Sequence, residues 1–306
     1  MATSRTPFEK LTPIHPNRHI TLETGPVPIA PRLIDLFVPI GFGQRGLVVS
    51  PPKAGKTTIL RQVAMAILQN YQDAMLFLCL VDERPEEVTE WRMEVQGQNV
   101  RVYASSFDQQ SSRHGQVVER ALNDAKRLVE QGKDVVILLD SLTRLARAHN
   151  LNSDMWSGAR DRRGGYGSRT LSGGIDAHAL EVGRRVFGAA RAIEEGGSLT
   201  IIASCLVETG SRLDEVVYEE FKGTGNLEIR LSRELADRRI FPAIDLPASS
   251  TRQEERLLSS DELRATAILR RRMADLPHRE ITGQVIGLFE KTRSNAQLVD
   301  AVLKQG

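Results

Sequence analysis

Hydrophobic positions along the chain fall into short continuous runs, separated by stretches with a helical period. The runs at 46–50, 75–81, 100–104, 134–140 and 198–205 hold few polar residues, the pattern of strands covered on both faces. Asn226–Leu231 predicts one more strand. Between the runs the period changes. Within Ser112–Gln131, Val117, Val118, Ala121, Leu122, Ala125, Leu128 and Val129 recur at helical spacing with charges opposite, which predicts an amphipathic helix. Thr57–Asn70, Asp176–Glu195, Asp261–Asp275 and Gly283–Thr292 also read as helices. Apolar strands alternating with helices predict an α/β fold: a mainly parallel twisted sheet, helices on both faces, and a helical C-terminal part over 252–306. In such a sheet, ligands gather at the carboxyl ends of the strands.

Two regions depart from the alternation. Residues 1–45 contain Pro13, Pro16, Pro26, Pro28 and Pro31 and predict an extended lead-in or linker, with one short helix within Pro31–Val38. The region 222–250 reads as loops around the Asn226–Leu231 strand. Ser157–Arg169 is rich in glycine and arginine, and a loop of that length inside a domain is functional or disordered.

Composition narrows the picture little. The 306 residues are 41% hydrophobic and 26% charged, with a formal net charge of +2. This is ordinary globular composition, and the balance neither demands nor excludes a nucleic-acid partner. No apolar run approaches the ~20 residues of a membrane span, and Met1–Pro7 lacks the apolar core of a signal peptide. The expectation is a cytoplasmic protein with no membrane partner. Cys79 and Cys205 lie inside apolar runs and read as small core residues.

Candidate chemistry begins at the first strand. Gly46–Ser50 is followed by Pro51-Pro52-Lys53-Ala54-Gly55-Lys56-Thr57-Thr58 and then a helix. A strand, a tight loop and a helix N-terminus present backbone N–H groups to a polyphosphate. In this arrangement Pro52, Lys53, Ala54, Gly55, Lys56, Thr57 and Thr58 are expected to line the phosphates of a nucleotide. Lys56 reaches the β- and γ-phosphates, and the Thr57 hydroxyl holds Mg²⁺. The phosphate-loop pattern wants glycine where Ser50 stands, and a small residue can make that turn if its φ stays negative. Asp140 ends the apolar run Val135–Asp140 and is the metal-side acid. Asp82-Glu83-Arg84-Pro85-Glu86-Glu87 ends another strand on the same rim. Pro85 suits the first turn of a helix, with Glu86 and Glu87 at its positive end. Glu83, at the strand tip, is the better candidate for the base that activates water.

These stretches together carry a resemblance. Pro51–Thr57, Asp82–Glu90, Leu138–Ala148, Phe187–Arg191, Glu194–Ala203 and Tyr218–Asn226 resemble the ATPase domain of the bacterial transcription termination factor Rho family, from about Phe8 to the C-terminus. Phe221-Lys222-Gly223-Thr224-Gly225-Asn226 is the most specific part, because nothing about generic nucleotide binding calls for it. The resemblance implies a RecA-like P-loop NTPase over 46–306, assembled as a homo-hexamer. It implies an RNA-dependent ATPase and helicase acting in transcription termination, with ATP between subunits, single-stranded RNA in a central channel and RNA polymerase as a further partner. It assigns Lys56, Glu83, Arg84 and Arg252 to catalysis, Arg84 as a gating arginine and Arg252 as an arginine finger offered to the neighbouring subunit. It assigns Phe241 to stacking on adenine. Arg169, Thr170, Leu171, Ser172, Gly173 and Gly174 match the first RNA-contacting loop, and Arg212 stands in the second where the family usually has lysine. Arginine keeps the attraction for phosphate.

Departures from the family accompany the match. Ser250 replaces a usual glycine, Thr58 a larger apolar residue, and residues 157–166 look added. The family's oligonucleotide-binding domain is expected to be missing, since the chain starts almost where that domain ends. This keeps two other readings in view: a regulatory or assembly subunit of such a ring, and another RecA-like ATPase acting on DNA or protein.

Overall fold

The computed structural model describes residues 6–157, 170–171, 175–274 and 276–305. The apolar runs become strands β2 (Arg45–Ser50), β3 (Met75–Glu83), β4 (Val100–Ser106), β5 (Asp134–Asp140), β9 (Ser198–Leu206) and β10 (Leu227–Arg230). They pair in parallel in the order β10-β2-β9-β5-β3-β4. Three short strands extend this sheet antiparallel: β1 (Pro13–Ile14), β8 (Arg191–Ile193) and β11 (Ser250–Thr251). A separate two-stranded ribbon joins β6 (Thr170–Leu171) to β7 (Ile175–Asp176).

The two-residue period of a strand sorts its side chains between two cores. Leu76, Leu78 and Leu80 of β3 and Val136 and Leu138 of β5 face one core. That core is covered by α1 (Ile29–Phe37), α2 (Lys56–Asn70), α3 (Pro85–Glu94) and the C-terminal helices α9 (Ser260–Ala274), α10 (His278–Glu290) and α11 (Asn295–Gln305). Phe77, Cys79 and Val81, with Val135, Ile137 and Leu139, face the other core. There α4 (Ser111–Val129), α5 (Leu142–Ser157), α6 (Glu181–Gly188) and α7 (Arg212–Thr224) pack. Helices on both faces explain why the central strands β9, β5 and β3 are apolar along most of their length, whereas β4 and β10, toward the sides of the sheet, carry Arg101, Glu228 and Arg230. Both cysteines are free and buried. A short helix, α8 (Arg233–Asp237), follows β10. Among the described residues no helix is long and apolar enough to cross a membrane.

The structure corrects one expected helix. Asp176–Glu195 is divided into β7, a 3-10 turn (Ala177–Leu180), α6 and β8. The reason is long-range pairing: Arg191 and Ala192 join the edge of β9, and Ala192 and Ile193 receive β1 on their other side. Sheet contacts of that kind override local helical propensity. The region 222–250 is also more regular than loops around one strand, since it holds the end of α7, the short helix α8 and the start of β11.

The described part of the lead-in is built into the cores. Ile20, Leu22, Leu33, Ile34 and Phe37 are buried with the C-terminal helices, and Phe8 is buried on the opposite face. Arg32 is fully buried beneath Phe289, where its Nη1 donates to the carbonyls of Pro26, Phe289 and Thr292. Asn295 Oδ1 accepts from its Nε at 3.3 Å. A buried guanidinium is tolerated when its donors are met in this way.

Candidate nucleotide site

The phosphate loop leaves β2 between its neighbours β9 and β10. Lys53 and Gly55 adopt left-handed backbone, with φ of 66° and 95°. That conformation favours glycine at 55 and turns the chain sharply into α2. Ser50 keeps a negative φ, and its buried hydroxyl donates to the Pro51 carbonyl at 2.7 Å. Serine therefore makes the turn that the motif assigns to glycine. No side chain caps α2. Its first backbone N–H groups are open donors at the positive end of the helix, suited to an anion. Pro52, Lys53 and Thr58 are exposed around the loop, Thr57 is half-buried and Ala54 is buried beneath it.

Strand register brings the acids to this loop. β5 lies two strands from β2 and β3 three strands away, and Lys56 spans the gap. Its Nζ donates to Asp140 Oδ1 and stands 3.9 Å from Glu83 Oε1. Ser204, on the intervening β9, donates to the same Asp140 oxygen at 2.7 Å. Both bonds fall on Oδ1, so Oδ2 stays available to a metal ion or its water.

Glu83 is 2% exposed. A bulge at the end of β3 aims it: the register with β4 shifts between Val81 and Glu83, and Asp82 between them has φ 56°. Bulges beside active sites re-aim side chains in this manner. Arg144, from α5, stands 3.5 Å from Glu83 Oε2, yet that buried oxygen has no hydrogen-bond partner. An unsatisfied buried carboxylate oxygen marks a place for water or substrate. Burial, and after it the charge of Asp140, push the Glu83 carboxyl up to about 8, against the pull of Lys56 and Arg144. In the empty site it therefore holds its proton near neutrality.

This has a measurable effect on stability. Between the ordinary value of 4.5 and about 8, folded Glu83 binds a proton that the unfolded chain has released. Stability from this group is present below that window and is lost as pH rises through it. A glutamine at 83 does not titrate. Glu83→Gln is expected to gain at least about 1 kcal/mol on the parent protein between pH 5 and pH 9, measured by urea unfolding without nucleotide or metal. Parallel pH profiles for the two proteins would exclude this environment for Glu83.

The other candidate residues divide by position. Phe241 is 50% exposed. Leu231 bonds to Val49 and bridges Ile244, so the segment carrying Phe241 lies on the phosphate-loop rim. Arg84 follows Glu83 in the chain, but its side chain is exposed and stands beside Glu87, 3.9 Å from its carboxylate. Arg212 is exposed at the start of α7. Arg252 is at the opposite end of the sheet. Its N–H donates to the Asn226 carbonyl, and Asn226 in turn pairs with Arg45 at the start of β2. Ser50 lies five residues further along β2, about 16 Å away at strand rise. Arg252 thus cannot serve the phosphate loop of its own chain. Thr170 and Leu171 form one side of the β6–β7 ribbon. Arg169, Ser172, Gly173, Gly174 and residues 158–166 lie outside the described residues.

Three side chains near the site were not singled out by the sequence. Arg144 and Arg147 share a face of α5, and Asp214 is buried on α7. Arg147 donates through Nε to Asp214 Oδ1 at 2.8 Å and through Nη2 to Oδ2, which also accepts from Thr209 Oγ1. This ties the loop before Arg212 to the helix that carries Arg144. The i,i+3 spacing of two arginines directly after Asp140 was a legible signal.

Comparison with known proteins shows what the chain as a whole is similar to. The chain is 48% identical over 299 residues to transcription termination factor Rho of Rhodopirellula baltica, covering 98% of this chain and 56% of that protein. It is 52% identical over 300 residues to Rho of Micrococcus luteus, covering 98% and 41%. The Rho of Borreliella burgdorferi is 52% identical over 294 residues, covering 96% and 54%. The chain thus spans about half the length of the curated relatives it matches. Among solved structures, an ATPase from the type III secretion system of pathogenic bacteria superposes with a TM-score of 0.78 at 22% identity, over 98% of this chain and 88% of that one. The ATP synthase subunit NeqB from Nanoarcheaum equitans gives 0.71 at 18% identity, over 97% and 78%. These likenesses establish a RecA-like P-loop fold. Residues 31–251 match the model of the ATP synthase alpha/beta family, nucleotide-binding domain, and the chain belongs to that family.

Proposed function

We propose that this chain is the ATP-hydrolysing part of a Rho-like subunit, which works as a homo-hexameric ring on single-stranded RNA during transcription termination. The observation that carries this reading is the meeting of Lys56, Asp140 and Glu83 above the carboxyl ends of β2, β5 and β3. It occurs in a chain about half identical to named termination factors. RNA polymerase is the further partner that termination calls for, and such a factor works in the cytoplasm.

Each residue has a chemical task. Lys53–Thr58 hold the phosphates through backbone N–H groups, Pro52 shapes the loop that presents them, and Lys56 carries positive charge to the β- and γ-phosphates. Glu83, once it has given up the proton it holds in the empty site, orients water and takes its proton through Oε2, the oxygen left without a partner. The Thr57 hydroxyl and Asp140 Oδ2 are the donors suited to Mg²⁺, whose hard charge prefers oxygen ligands. Bound there, the ion neutralises phosphate charge. Phe241 stacks on the adenine. Arg252 completes the site of the adjacent subunit, and Arg84 gates it. Arg212, with Arg169 and Thr170–Gly174, faces RNA phosphates.

The test is ATP turnover with and without single-stranded RNA. RNA is expected to accelerate turnover. Its binding should weaken steeply with salt, because each neutralised phosphate releases counterions. Arg212→Ala should reduce the acceleration and flatten the salt dependence while nucleotide affinity stays the same. Turnover that ignores RNA at every salt concentration would remove RNA from the proposal and leave an ATPase with another substrate.

A further inference from the structure

The bulge that aims Glu83 is held from two sides, and only one side belongs to the residues assigned so far. On one side Arg144 Nη1 donates to the Asp82 carbonyl and stands 3.8 Å from the Asp82 carboxylate. On the other side is His114, in the first turns of α4 and 3% exposed. Its Nδ1 lies 2.8 Å from the hydroxyl of Ser105, itself buried on β4. Its Nε2 lies 3.9 Å from Asp82 Oδ1. Burial lowers the His114 pKa, against the opposing pull of Asp82, so the ring is neutral near pH 7.

A neutral imidazole has one donor and one acceptor nitrogen. If Nε2 were the acceptor, its lone pair would face a carboxylate. The favourable tautomer carries the proton on Nε2, and the Ser105 hydroxyl then donates to Nδ1. A chain results: Ser105 fixes the His114 tautomer, and His114 turns an N–H toward Asp82. Asp82 is a non-glycine residue in left-handed backbone, a conformation that is strained for an L side chain and persists where neighbours hold it. Glu83 follows directly, and its carbonyl accepts from Phe107 N at the end of β4.

The geometry points to His114 as a positioning residue for ATP hydrolysis: with Ser105 behind it, it clamps Asp82 opposite Arg144 and so fixes the direction of the Glu83 carboxylate. It touches neither substrate nor Glu83. Its effect passes through the backbone of one bulged residue. The inference deepens the proposed hydrolase reading, since it takes Glu83 as the group that activates water.

The experiment measures Mg-ATP turnover and nucleotide affinity for His114→Leu, His114→Gln, Asp82→Asn and the His114→Leu/Asp82→Asn pair in the full chain. Leucine keeps the bulk and removes the polar contacts, whereas glutamine restores an N–H near the place of Nε2. His114→Leu is expected to lower kcat about tenfold or more, because small misplacements of a catalytic group have effects of that order. Nucleotide affinity should stay within about twofold, and His114→Gln should recover most of the rate. The double variant should be no slower than the slower single, since both act through one contact. Wild-type kcat in His114→Leu would overturn the inference. So would equal losses in His114→Leu and His114→Gln, additive losses in the double variant, or affinity falling in step with kcat. Glu83→Gln assayed alongside separates the two levels. An inactive Glu83→Gln beside a fully active His114→Leu sinks the positioning role alone, and an active Glu83→Gln sinks the reading beneath it.

Discussion

Glu83→Gln will bind ATP as the parent protein does and cleave it about 10²- to 10⁴-fold more slowly. The split between binding and cleavage follows from the site. Glu83 is buried and held in its neutral form when the site is empty, with a pKa pushed up to about 8. Glutamine copies the shape and charge of that neutral acid, so the fold and the phosphate loop are undisturbed. What glutamine lacks is a basic oxygen at the position of Oε2, which in the protein stands beside Arg144 with no hydrogen bond. Single-turnover cleavage measured beside equilibrium nucleotide affinity makes the comparison. A variant that turns over normally would move the base elsewhere on the rim, and Asp82 would be the next residue to try.

Arg252→Ala is expected to remove about 10³- to 10⁵-fold of turnover, the range associated with arginine fingers. The activity should return in part when the variant is mixed with Lys56→Ala, which is itself expected to be inactive. The reason is the sheet. Arg252 is tied to Asn226 and Arg45 at the start of the strands, while Lys56 follows their end. An arginine there can meet a γ-phosphate only across a boundary between two copies. In mixed rings some boundaries pair an intact phosphate loop with an intact finger. Turnover followed across mixing ratios, with mixed rings confirmed, should pass through a maximum. A flat, inactive series would show that Arg252 does not act in trans.

Much of this was legible in the sequence because the signals are local. The parallel strands were readable from apolar runs, since helices on both faces require both sides of each central strand to be apolar. Asp140 and Glu83 were readable because each closes such a run, and Lys56 because it opens the helix after the loop that follows one. The elements that escaped are held by distant partners. β8 reads as helix until β1 and β9 are set beside it. The strand 75–81 continues to Glu83 only because a bulge lets Asp82 and Glu83 stay with β4. Arg144 and Arg147 stood in view directly after Asp140, but their roles depend on Asp82, Glu83 and Asp214, which the fold gathers from separate strands and helices. Arg252 gave no local sign of its place at the far end of the sheet.

The contact between Lys56 and Asp140 bears on how the site fills. With no ligand, the lysine charge is answered by Asp140 and the neighbouring Glu83 carries none. The lysine charge is thus already partnered before a phosphate arrives. On the proposed reading, entry of a nucleotide would be an exchange: Lys56 would leave Asp140 for the phosphates, and Asp140 would be left needing a cation. Free ATP would supply the first half of that exchange and strand the carboxylate. The metal-bound nucleotide would supply both halves at once. The resting pair would in this way favour metal-bound over bare nucleotide, before any step of cleavage begins.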